Sequence, residues 1–255
     1  VNSRDLKDFL DHKAATYEQP RFLEQDPVQI PHLFDKKEDI EISGFLIASI
    51  AWGNRLSIIK SGKHMLELMG NDPYHFVIQH TKQDLVPFSS FVHRTFNGLD
   101  LCYFIKALKN IYLHHGGLES AFSKTLKKNR LDQNIHDFRN TFFELEHEKR
   151  TEKHVADPFK GSATKRINMF LRWMVRDQKN GVDFGLWKSL SPEQLSCPLD
   201  VHSGNVARKL GLLKRKQNDQ KAVEELDMSL RNYDPMDPVK YDYALFGLGV
   251  FEGLK

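Results

Sequence analysis

Apolar positions in this 255-residue chain recur at spacings of three and four nearly throughout, whereas strict alternation over strand lengths is hard to find. Side chains three and four apart share one face of a helix, so the pattern predicts an all-α protein. The stretch "EDIEISGFLIASIAWGNRLSIIKSGKHMLELMG" predicts two helices. One is largely buried after Ser43; the other carries Leu56, Ile59, Lys63 and Leu66 and stops at Gly70-Asn71-Asp72-Pro73. "DLCYFIKALKNIYLHHGG" predicts another, ended by Gly116-Gly117, with His114 and His115 as a helix terminus of favourable charge. Further on, "KTLKKNRLDQN" reads as a surface connection and "HDFRNTFFELEHEKR" as a helix with Phe138, Phe142 and Leu145 inside.

"GSATKRINMFLRWMVRD" has the cleanest period. Ile167, Phe170, Leu171, Met174 and Val175 form a core face, and Lys165, Met169, Arg172 and Arg176 fall on the opposite stripe, which is expected to face outward. Val223, Leu226, Leu230 and Tyr233 mark a later helix. Asp237-Pro238 is expected to open the last one, "VKYDYALFGLGVF", which is apolar enough to be largely buried.

Composition narrows the class only modestly. A 40% apolar content suffices for one domain or two fused lobes. Lys and Arg outnumber Asp and Glu by 37 to 34, an excess that suits a polyanion and equally many proteins without one. Two cysteines, Cys102 and Cys197, are too few for a disulfide framework, a four-cysteine cluster or a cysteine-rich zinc site, so both read as reduced thiols and no metal or cofactor is expected. No run approaches the roughly 18 apolar residues of a membrane span, and the first segment lacks an uninterrupted apolar core. The expectation is a cytoplasmic protein with no membrane contact.

Candidate chemistry gathers in two places. With Ser162 as N-cap after Gly161, Lys165 stands in the first turn of its helix, where the positive end of the helix and nearby Lys160 and Arg166 favour loss of its proton. A neutral amine is what attack on carbon requires. The plainer reading is an exposed lysine on a solvated face. Backbone N–H groups of the Gly161-Ser162 turn are suited to an anion, and Arg172 and Arg176 would extend a phosphate-binding surface. Asp200, after Cys-Pro-Leu in "LSCPLDVHSGNVARKLGLL", takes the N-cap position of the next helix. It is a cap, or it is a cap whose second oxygen serves a neighbouring cavity by stabilising positive charge or assisting a proton transfer.

A glycine turn opening a helix with a first-turn lysine, followed by "CPLDVHSGNVARKLGL", resembles the helix-hairpin-helix DNA glycosylase superfamily, which includes endonuclease III and the 8-oxoguanine glycosylases. The likeness runs from Gly161 to Gly249; the first 150 residues share only helical character. "FKGSATKR" replaces the usual Leu-Pro-Gly-Val-Gly hairpin, and 35 residues separate Lys165 from Asp200, more than is usual. Both departures are similar to the archaeal 8-oxoguanine branch and to an uncharacterised bacterial family of the superfamily. The resemblance implies a two-lobed fold, expected here as 1–45 with 205–255 in one lobe and 46–204, carrying the hairpin, in the other. It implies a monomer acting on double-stranded DNA with a damaged base such as an oxidised purine. Lys165 would be the Schiff-base nucleophile and Asp200 its assisting carboxylate. Asp242, Phe246 and Arg172 would meet the flipped base, while Gly161, Ser162 and Arg176 would hold phosphates. The same residues also suit a nucleic-acid-binding module without catalysis, or a helical interaction scaffold.

Overall fold

The computed structural model describes residues 3–125 and 130–254. Helix accounts for 63% and strand for 2%, so the protein is mostly helical, as the periodicity requires. Its α-helices are, in chain order, α1 (Ser3–Tyr17), α2 (Lys37–Ser49), α3 (Arg55–Leu68), α4 (Pro73–Gln79), α5 (Gly98–His114) and α6 (Gly117–Ser123). They continue as α7 (Asp132–Phe142), α8 (Lys165–Val175), α9 (Val201–Lys209), α10 (Gln220–Arg231) and α11 (Tyr241–Val250). A short antiparallel hairpin, β1 (Val92–His93) and β2 (Phe96–Asn97), is too brief to show in the apolar pattern. Part of the expected "KTLKKNRLDQN" connection, residues 126–129, lies outside the described residues.

The chain divides into two compact units, drawn differently from the expected lobes. A terminal unit comprises Val1–Phe22, Lys127–Asp132 and Asp157–Lys255; a central unit comprises Leu23–Leu126 and Gln133–Ala156. The segment from Gly161 to Lys165 therefore belongs with α1 and with the helices from α8 to α11. The reason lies in one apolar core that joins Leu10 and Ala14 of α1 to Val206 of α9, Leu226 of α10 and Leu245 of α11. Ala163 and Leu199, which lead into Lys165 and Asp200, are buried in that same core, so both candidate residues project from a packed base rather than from free loops.

The central unit is built on aromatic rings. Phe45 of α2 meets Phe104 of α5 and Phe138 and Phe142 of α7 at ring separations of 5.4 to 5.8 Å. Phe122 of α6 stacks on Phe138 at 3.7 Å. Leu56 lies on α3 as expected, in its first turn and 77% exposed. One apolar expectation fails here. Leu145 lies beyond the end of α7, because the Tyr103 hydroxyl takes the Phe142 carbonyl at 2.7 Å and the chain leaves the helix there.

The end of the chain departs from expectation too. Pro238–Lys240 forms a single 3-10 turn and α11 begins at Tyr241. Asp237 makes no side-chain cap, because its carboxylate receives Arg176 instead.

Candidate active site

Lys165 is the first residue of α8, in its first turn as expected, but the N-cap is Thr164 and not Ser162. Ser162 Oγ accepts the Thr164 N–H at 3.2 Å, turning the chain one step before the helix. Thr164 is thereby held at φ 45°, ψ 34°, a left-handed conformation that a β-branched residue adopts at a cost on the order of 1–3 kcal/mol. The buried Asn168 amide donates to the Ala163 carbonyl at 3.2 Å and to Thr164 Oγ1 at 3.3 Å, fixing this strained step from the inside.

The Gly161-Ser162 turn does not offer the amides expected of it. Gly161, at φ 82°, donates its N–H to Pro158 O at 2.9 Å, and Ser162 donates to Asp157 O at 3.4 Å. Both N–H groups are spent inside the turn that Asp157 caps, so they are not aimed at a ligand.

Asp200 is the N-cap of α9 in a full capping box. One oxygen, Oδ1, accepts the N–H groups of His202 at 2.9 Å and Ser203 at 3.0 Å, and Ser203 Oγ accepts the Asp200 N–H at 2.9 Å. The other oxygen, Oδ2, lies 3.8 Å from Lys165 Nζ. The cap therefore fixes the carboxylate by one oxygen and presents the second to the amine. Both side chains stay reachable, at 29% and 27% exposure. Their separation is too long for a hydrogen bond and leaves a solvent-screened attraction between the two charges.

Segments missed in the sequence brace this pair. Wholly buried Asp227 of α10 accepts the Cys197 N–H at 2.9 Å, anchoring the extended stretch before Asp200. Burial raises the Asp227 carboxyl above its ordinary value, with Arg130 as the main opposing charge. Asn218 donates from Nδ2 to the Asp200 carbonyl at 2.9 Å and accepts Arg208 at 2.6 Å. Gly204 makes room for it, since a Cβ there would stand 2.7 Å from Asn218 Oδ1. The charged run after α9 was visible in the sequence; its fold-back onto Asp200 was not.

Asp242, in the first turn of α11, is buried beside this site. Burial raises its carboxyl to about 6; Arg172 pulls it down, Asp200 pushes it up and Lys165 pulls it down. Its two oxygens face Arg172 and the Cys197 thiol, the latter at 3.9 Å. Burial, reinforced by Asp242, puts the Cys197 thiol well above its ordinary value, which keeps it an inert thiol. Phe246, one turn beyond Asp242, is half-buried and packs edge-on against Phe22 at 5.7 Å and Phe251 at 6.3 Å.

The outward stripe of α8 is overturned by the structure. Ile167 through Val175 are all buried, Met169 among them, and Arg172 and Arg176 are each only 4% exposed. Arg172 lies 4.3 Å over the Tyr243 ring and pairs with Asp183 and Asp242. Arg176 reaches Glu18 and Asp183 at 2.6 Å and Asp237 at 2.8 Å. The physical reason is the count of carboxylates: four acids converge on two guanidiniums, and burying three of them, Glu18, Asp183 and Asp242, without these cations would be prohibitive. Arg176 is therefore not placed to hold a phosphate, and Arg172 bears on the site only through Asp242.

Among the described residues no group of three or more His, Cys, Asp or Glu side chains is placed to hold a metal ion, and no helix is long and apolar enough to cross a membrane. A family model described as "Protein of unknown function (DUF2400)" matches residues 26–251. The chain belongs to the DUF2400 family. The match spans Lys165, Asp200 and Asp242 together with most of both units. Neither a comparison with curated proteins nor one with solved structures finds a match.

Proposed function

We propose that this DUF2400 protein is a DNA glycosylase of the helix-hairpin-helix kind, with lyase activity, acting on double-stranded DNA that carries a damaged base. One observation carries the reading: a first-turn lysine, half exposed, faces the free oxygen of a capping aspartate 3.8 Å away. By contrast Arg176, just past the other end of α8, closes to hydrogen-bonding distance on Glu18 and Asp183. Here the gap is open and both groups reach solvent, an arrangement suited to a nucleophile and its proton partner.

In this reading the target nucleotide leaves the duplex, which selects pairs already weakened. Lys165 attacks the sugar C1′ once its amine is neutral; the bond from C1′ to the base breaks as the bond from nitrogen to C1′ forms. Asp200 stabilises the positive charge that develops on the sugar and takes the proton the amine sheds, while the base departs with the bonding electron pair and picks up a proton from water. Opening of the sugar ring then leaves an imine, whose C2′ proton can be removed to expel the 3′ phosphate. The strained Thr164 step supports the reading, since such strain persists where geometry must be held.

The test is covalent trapping over a panel of lesion-bearing duplexes. Borohydride should reduce the imine to a stable protein–DNA adduct with the wild-type chain and give none with Lys165→Gln, which keeps a good helix former at a half-exposed position. Equal trapping by the variant would move the nucleophile to another amine. Binding without any trapping would favour a nucleic-acid-binding protein that lacks the chemistry.

A further inference from the structure

The buried state of Arg172 and Arg176 removes the surface expected to hold phosphates, and the structure supplies another on the same unit. Between Lys209 and Lys221 the chain carries five Lys or Arg residues and one acid, Asp219. That acid is already occupied, by Arg215 at 2.5 Å and by the first turn of α10. Glu225 is likewise engaged, accepting the Lys214 N–H at 2.6 Å and the Arg215 N–H at 3.2 Å. Lys209, Lys214, Lys216 and Lys221 are exposed and carry no ion pair among the described residues.

This turn is clamped to both halves of the candidate site. An isolated antiparallel bridge joins Ser162 to Asp219, and the Gln220 N–H donates to Gly161 O at 3.1 Å. Asn218 ties the same turn to the Asp200 carbonyl. The bridge also brings exposed Lys160, which carries no ion pair among the described residues, to the turn, since Lys160 and Lys221 each stand two residues from the bridged pair. Like charges placed together without a counter-ion are unfavourable, and a polyanion relieves that repulsion.

We infer that the Lys214–Lys221 turn, with Lys160, is the backbone-tracking surface for duplex DNA, carrying a strand past the Lys165–Asp200 pair through sequence-independent phosphate contacts. The inference shares with the proposed function its DNA partner and does not need the chemistry. Each phosphate contact contributes about 0.9 to the slope of log affinity against log salt.

Binding of an undamaged duplex across a salt series, with wild-type chain and two triple variants, tests it. Replacing Lys214, Lys216 and Lys221 with Gln should flatten the slope by about 2 to 3 units. Replacing Lys36, Lys82 and Lys106, three exposed lysines of the central unit, changes net charge equally and should leave the slope nearly unmoved. Equal flattening by both triples would reduce the effect to net charge and overturn the surface, as would an unchanged slope in the first triple or no wild-type DNA binding. Salt-dependent binding that is lost in the first triple, in a chain that never traps with borohydride, would sustain the surface while the glycosylase reading fell.

Discussion

The two ends of α8 hold basic residues in opposite circumstances. At the C-terminal end Arg176 is 4% exposed and touches three carboxylates at 2.6 to 2.8 Å. At the N-terminal end Lys165 is 29% exposed and faces the Asp200 carboxylate at 3.8 Å. Sequence periodicity assigns both to one stripe, so spacing alone does not separate a cation that holds a fold from one that is free to react. The number and length of the contacts separate them.

The largest expected effect belongs to the buried end. Arg176→Met should cost about 3–5 kcal/mol of unfolding free energy, because buried Glu18 and Asp183 lose their shared partner in the interior. Urea unfolding measures it. A cost below about 1 kcal/mol would place Arg176 among ordinary surface pairs and erase the contrast.

At the open end the expected loss is in rate. Asp200→Asn should slow borohydride trapping on the order of 10² to 10³, the magnitude of removing one electrostatic stabiliser, while the amide oxygen still caps α9. Stability should change by less than about 1 kcal/mol. A reversed result, with stability lost and trapping rate kept, would make Asp200 a structural cap and nothing more.

Asp242 stands between the two ends, bonded to Arg172 and within the field of Lys165. Its carboxyl, about 6 when folded against an ordinary 3.8, keeps in the folded state a proton that the unfolded chain gives up. Wild-type stability should therefore fall as pH rises from about 4 to about 6, and Asp242→Asn should remove that part of the slope. Unfolding midpoints at the two ends of this window check the sign. Parallel pH profiles for wild type and variant would show that Asp242 stays ionised throughout and belongs wholly to the arginine network.

Helical class, most helix positions and the pairing of Lys165 with Asp200 were legible in the sequence for identifiable reasons. Helices announce themselves by period, and caps by residue type: Asp200 is followed by Ser203, which completes its box. Arg172 and Arg176 were not legible, because their burial depends on Glu18 and on Asp237 and Asp242, some 60 to 160 residues away, as well as on nearby Asp183. Thr164 was missed for a different reason: a left-handed threonine follows from what packs around it and has no signature of its own. The unit boundaries escaped because they depend on α1 meeting α11, which no local pattern encodes.

That meeting of α1 with α11 sets an order of events during synthesis. The Tyr241 hydroxyl donates to Asp11 at 2.9 Å, across 230 residues of chain. At about 5–20 residues per second, α1 waits roughly 10 to 50 s for the surface that buries Leu10 and Ala14. The central unit has emerged in full by then and can fold first. Nascent α1 spends the interval with its apolar face uncovered, as a ready client for a ribosome-bound chaperone.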